Sequence, residues 1–249
     1  MIPIGDDNTG NRMPAVVNIM IVLVNVLVFV FFQGLGSNDQ FTYAWSTVPK
    51  EIITGRDIVT RDQTAVDPST GQQVTIPGLR PTPISVYLTL IVSMFMHGSI
   101  LHIAGNMLFL WIFGDNIENA MGHFRYLIFY LICGVIASLA QVYATVFFGG
   151  DQLVPSLGAS GAISGVLGAY IILFPGRRVR VLLLNFLTVV PAVVAIGVWF
   201  IFQLVNGLGL LGGVDTGVAY AAHVGGFLAG VLLVRFFSAG GGQTSYSQY

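Results

Sequence analysis

The chain has 249 residues, of which 55% are hydrophobic and only 8% charged, with a formal net charge of −1 and a mean hydropathy of +0.81. A soluble domain carries about 25% charged residues, so most of this chain must face lipid or other apolar helices. The near-zero charge provides no basic surface for nucleic acid, and the single cysteine, Cys133, excludes an internal disulfide.

Residues 1–13 are short, polar and mildly acidic, and read as a cytoplasmic N-terminus. The apolar run Pro14–Phe32 is longer than a signal-peptide core and has about the 20 residues that a span requires. Residues 34–98 form a long outer loop. Up to Pro83 it is polar and holds Lys50, Glu51, Arg56, Asp57, Arg61, Asp62, Asp67 and Arg80. Pro68-Ser69-Thr70-Gly71 reads as a turn within it. Ile84–Met96 is apolar and reads as a partly inserted piece of the loop.

Five further apolar segments follow: Leu101–Ile112 extending through Ile117, Arg125–Phe148, Leu157–Phe174, Val181–Val205 and Ala219–Phe237. With the first they predict an all-α, six-span bundle over residues 14–237. Residues 238–249 are rich in Gly and Ser and read as a flexible tail.

With six spans, Arg12, Arg125, Arg177, Arg178, Arg180 and Arg235 all fall on one side. The rule that cationic loops stay inside places both termini in the cytoplasm and the long loop outside. The membrane expected on this reading is the plasma membrane of a prokaryote.

The second, fourth and sixth spans then all start outside. His102, Ser160 and His223 lie near those three starts, within about two turns of the outer face (roughly 10 Å at 1.5 Å per residue). Gly158-Ala159-Ser160-Gly161 opens a segment without charge until Arg177, and Ala222-His223 opens one without charge until Arg235. Ionisable residues inside a membrane are functional candidates by default.

Gly161, Ser164, Gly165 and Gly168 give the fourth span a small-residue face, and Gly226 and Gly230 give the sixth a matching one. Such faces allow close helix approach and would bring Ser160 within reach of His223. A serine with an adjacent histidine is a nucleophile with its base. His102 and Asn106 are four residues apart and share a helix face. With the Ser160 N–H they would supply donors for an oxyanion. Each element also has a plain packing explanation; their agreement in depth favours catalysis.

No third member of a triad is visible. Asp151 and Asp215 lie in loops, and neither is placed to orient His223. His97 lies near the outer interface and reads as a loop-shaping residue. His123 and Glu118 lie at the opposite end, and no metal-ligand spacing occurs. No cofactor is expected.

These segments together resemble the rhomboid intramembrane serine proteases. The matching pieces are His97-Gly98-Ser99-Ile100-Leu101-His102-Ile103-Ala104-Gly105-Asn106, Gly158-Ala159-Ser160-Gly161, and Ala222-His223-Val224-Gly225-Gly226 with Gly230. Phe113-Gly114-Asp115-Asn116-Ile117-Glu118 resembles the family's turn after the second helix. The resemblance covers about Ile84 to Arg235.

It implies Ser160 as nucleophile, His223 as general base, and His102, Asn106 and the Ser160 N–H as the oxyanion hole. It also implies transmembrane proteins as substrates, cut within or beside their membrane helices, and a lipid bilayer as the medium. Trp199 and Phe202 are placed at substrate entry, and Pro191 is expected to kink the fifth helix. A catalytically dead relative would lack Ser160 or His223. A channel would place polar residues through the whole membrane depth, whereas here they cluster at one end.

Overall fold

The structure is a computed structural model that describes residues 1–66, 71–207 and 219–238. The turn expected at Pro68–Gly71 falls largely outside the described residues, as do Asp215 and all of the C-terminal tail beyond Ser238.

In chain order the elements are β1 (Ile2–Asp6), α1 (Val16–Leu27, prolonged by a π turn to Phe32), α2 (Asp39–Trp45), α3 (Pro49–Thr54), β2 (Gln63–Val66), β3 (Gln73–Ile76), α4 (Thr89–Val92, flanked by 3₁₀ turns), α5 (Ile100–Met121), α6 (His123–Phe147), α7 (Ser160–Leu173), β4 (Arg178–Leu183), β5 (Phe186–Pro191), α8 (Ala192–Gly207) and α9 (Tyr220–Ser238). Among the described residues, α5, α6 and α9 are long and apolar enough to cross a membrane. Three shorter apolar helices, Val16–Phe32, α7 and α8, occupy the other expected positions.

The architecture is mostly helical rather than all-α. β1, β4 and β5 form an antiparallel sheet in that order. The fifth expected span, Val181–Val205, is therefore divided. Its first part belongs to the β4–β5 hairpin, closed by the two-residue turn Leu184-Asn185, and only Ala192 onward is helical. Pro191 ends β5 rather than kinking a helix. A proline lacks the N–H that helix continuation needs, and here it stands just before the helix, where that N–H is not missed. In β4, Val179 and Val181 are buried in the core while Arg178 and Arg180 face outward, the period-2 pattern of a half-buried strand.

Phe113–Glu118 is not a turn. It lies inside α5, which runs unbroken to Met121. Gly122 then reverses the chain with φ +82, a conformation that L side chains rarely adopt. Glu118, fully buried, accepts the backbone N–H groups of Val17 (2.9 Å) and Asn18 (2.7 Å). Ala15 at the start of α1 gives no side-chain cap. A carboxylate on α5 thus satisfies the free first-turn donors of α1 and complements its positive end.

The central helix α7 is buried along nearly its whole length and packs most extensively against α9. The glycines explain this. A Cβ at Gly226 would overlap the Gly161 carbonyl, and one at Gly230 would overlap the Gly165 carbonyl. The backbones touch where any side chain would hold them apart. The described part of residues 34–98 is tied to the bundle despite its polarity. Thr47 and Ser156 pair through both backbone bonds (Thr47 N–H to Ser156 O 3.0 Å, Ser156 N–H to Thr47 O 2.8 Å), fastening it to the segment before α7. Ile84–Met96 forms only short helical turns around α4 and is too short to span.

Candidate active site

Ser160 is the first residue of α7, His102 the third of α5 and His223 the fourth of α9. All three sit at the same end of the bundle because these helices run in the same direction. Their side chains border one cavity of about 840 Å³, which Asn106, Gln141 and Trp199 also line.

The close approach of α7 and α9 places Ser160 Oγ 2.7 Å from His223 Nε2. This is an ordinary hydrogen-bond length for a hydroxyl on a ring nitrogen. On the far side of the ring, His223 Nδ1 stands 2.8 Å from Gln203 Oε1. Gln203 comes from α8 and is buried. The Trp199 ring lies one helical turn earlier, 6.0 Å from the imidazole, and also packs on Phe109 of α5. Phe202 is exposed and does not line the cavity.

The segment leading into α7 is held from two sides. Gly158 N–H donates to the Ser93 carbonyl (2.9 Å), and Ser93 Oγ meets Thr47 Oγ1 of the long first loop (2.9 Å). Gly158 has φ +127, and a Cβ there would come within 2.9 Å of His102 Nε2. Only a glycine passes so near that ring in this conformation.

His102 Nδ1 faces the Gly98 N–H at 3.4 Å. An accepting Nδ1 leaves the proton on Nε2, on the side of Gly158. Asn106 is buried, and its Nδ2 has no hydrogen-bond partner among the described residues. Buried amide donors are normally paired, so an unmet one beside a cavity marks a place for an incoming acceptor. The N–H groups of the first turn of α7 likewise have no intrahelical acceptor.

His97 is fully buried, its ring edge-on to His102 at 5.0 Å. Gln33 clamps its backbone by accepting its N–H (2.8 Å) and donating to its carbonyl (3.0 Å). Glu118 and His123 pair with each other at the opposite end of α5. Asp151 lines the cavity mouth and its Oδ1 accepts the Leu153 N–H. Sequence reading alone missed Gln203, whose signal was a polar amide in an apolar segment free of charged residues.

A family model described as a rhomboid domain matches residues 85–240. The human presenilin-associated rhomboid-like protein, mitochondrial, is 32% identical over 155 residues, covering 59% of this chain and 37% of that protein. Rhomboid protein 1, mitochondrial, of Saccharomyces cerevisiae is 33% identical over 157 residues, covering 61% of the chain and 42% of that protein. Rhomboid protease GluP of Bacillus subtilis is 32% identical over 145 residues, covering 58% and 27%. The matched region spans less than half the length of each of these relatives. With its apolar helices and this match over more than half its length, the chain is an integral membrane protein that belongs to the rhomboid family.

Proposed function

We propose that this protein is an intramembrane serine endopeptidase that cuts transmembrane proteins within or beside their membrane helices. The observation that carries the reading is the 2.7 Å contact between Ser160 Oγ and His223 Nε2 at the wall of a cavity.

In this mechanism Ser160 Oγ attacks the scissile carbonyl carbon while His223 Nε2 takes the hydroxyl proton. The carbonyl oxygen becomes an oxyanion. His102 Nε2–H, Asn106 Nδ2–H and the Ser160 N–H are the donors to it. Asn106 suits the role because its Nδ2 has no partner among the described residues. The positive end of α7 adds to the same stabilisation. Collapse of the tetrahedral adduct passes the proton from Nε2 to the leaving amine. Water then attacks the acyl-enzyme, with His223 taking and returning a proton in the same way. The cavity supplies room for that water, and Gln141 and Ser156 give it a polar wall.

A peptide bond inside a helix is shielded by its hydrogen bonds. The favoured substrates are therefore helices weakened near the membrane surface by small or helix-breaking residues. We keep six spans, cytoplasmic termini and an outward-facing site as parts of the proposal. β1 and the arginine-bearing β4 share one sheet, which joins the N-terminus to the end of the bundle opposite Ser160. The relatives include mitochondrial proteins as well as one from Bacillus subtilis, so they do not favour a prokaryotic plasma membrane over a mitochondrial one.

The test is cleavage of a model transmembrane substrate by the purified protein in liposomes. Ser160→Ala abolishes cleavage on this reading and leaves the fold intact. Cleavage by the variant at near the parent rate would remove the proposal.

A further inference from the structure

We propose that Gln203 is the third member of the catalytic group, a positioning residue that selects the proton-accepting tautomer of His223. The proposal rests on the protease reading above and adds to it the part the sequence left empty.

A neutral imidazole carries one hydrogen, on Nδ1 or on Nε2. Only the Nδ1–H form has a lone pair on Nε2 that can take the Ser160 proton. Gln203 Oε1 is 2.8 Å from Nδ1 and has no hydrogen to give, so it requires one from the ring. The ring then presents its Nε2 lone pair to Ser160 Oγ, 2.7 Å away. The direction of the chain is thus set: Ser160 O–H donates to Nε2, and Nδ1–H donates to Oε1. With the amide turned the other way its NH₂ would donate to Nδ1, Nε2 would carry the hydrogen, and the histidine could not act as base.

The surroundings fit such a role. Gln203 is only 6% exposed and is held on α8, so its amide is not free to wander. Trp199 is four residues earlier on the same helix face, with its ring 6.0 Å from the imidazole. One face of α8 therefore supplies both a ring against the histidine and an acceptor at its outer nitrogen. A buried carboxylate would do the same job at a large desolvation cost inside an apolar bundle. A neutral amide orients the ring without that cost, and forgoes the full negative charge that would hold the imidazolium more tightly.

The experiment measures kcat and KM against pH for a transmembrane peptide substrate. It uses the full chain in liposomes, with Gln203→Met, Gln203→Glu and Ser160→Ala. Methionine keeps the side chain's length and removes the amide. The expected result for Gln203→Met is a loss of about 10- to 100-fold in kcat, the range seen when the partner that orients a metal-ligating histidine is removed, with KM changed less than about threefold. Gln203→Glu restores an acceptor. It should keep most of the activity and move the acid limb of the kcat/KM profile up by about one pH unit, because a carboxylate favours the protonated ring.

A Gln203→Met protein with parent kcat, or a Gln203→Glu profile that superimposes on the parent's, overturns the proposal. If Gln203→Met does not fold, the Gln203→Glu profile decides alone. Cleavage by Ser160→Ala at the parent rate would instead sink the underlying protease reading. Silence of Ser160→Ala with both Gln203 results negative sinks the Gln203 role only.

Discussion

Gly226 of α9 lies against the Gly161 carbonyl of α7 so closely that even a methyl group would overlap it. Gly161 directly follows Ser160 and Gly226 is three residues past His223, so this contact sets the separation of the two side chains. The distance between nucleophile and base is thus a property of backbone packing rather than of side-chain reach. Replacement of Gly226 by leucine must push α9 away from α7. The expected result is a large fall in thermal stability together with loss of cleavage, since overpacking alone costs about 1–3 kcal/mol and backbone yields less readily than side chains. Parent-like melting and activity in detergent would contradict the packed interface.

The oxyanion donors have a different signature. Asn106→Ala and His102→Ala should each lower kcat by about 10²–10³, the cost of one oxyanion donor in a well-studied protease, while KM changes little. Steady-state kinetics on a transmembrane substrate make the check. A change in KM alone would reassign these residues to substrate binding.

Glu118 is far from this chemistry and tests the fold instead. It is buried, and its two oxygens receive the Val17 and Asn18 N–H groups. Glu118→Ala leaves both donors and the start of α1 unsatisfied. Stability should drop by about 1–3 kcal/mol, read as a lower melting temperature in detergent. Among molecules that remain folded, turnover should stay near that of the parent. Unchanged melting would mean that α1 is not capped from α5.

Orientation is open to direct labelling. A cysteine in place of the exposed Gln73, in the long first loop, should react with an impermeant thiol reagent in intact cells. A cysteine in place of Arg178, at the opposite end, should react only after permeabilisation. Changing the buried Cys133 to alanine first removes background. The reverse pattern would place Ser160 at the cytoplasmic face.

Much of this was legible in the chain. Five helices lie close to their expected positions, because long apolar runs with small-residue faces admit few other arrangements in lipid. The grouping of Ser160, His223, His102 and Asn106 followed from counting spans, since residues at equivalent depths on helices of one direction must meet at one end. The β4–β5 hairpin was not legible. Its Val- and Leu-rich strands have the hydropathy of a span, and an apolar run alone does not separate strand from helix. Its turn, Leu184-Asn185, lacks the glycine that usually advertises one, and Leu184 itself adopts φ +55. Gln203 was hidden for another reason. An amide such as Gln203 shows its partner only once the rotation of α8 about its axis is known, and no spacing within one segment fixes that.

The central claim is that Ser160 is a nucleophile activated by His223. The most direct measurement is labelling of the folded protein by a serine-directed fluorophosphonate, read by gel fluorescence and located by mass spectrometry. The account predicts a single adduct on Ser160, absent in Ser160→Ala and strongly slowed in His223→Ala. Labelling of Ser160→Ala at the parent rate, or full-rate labelling of His223→Ala, would contradict it.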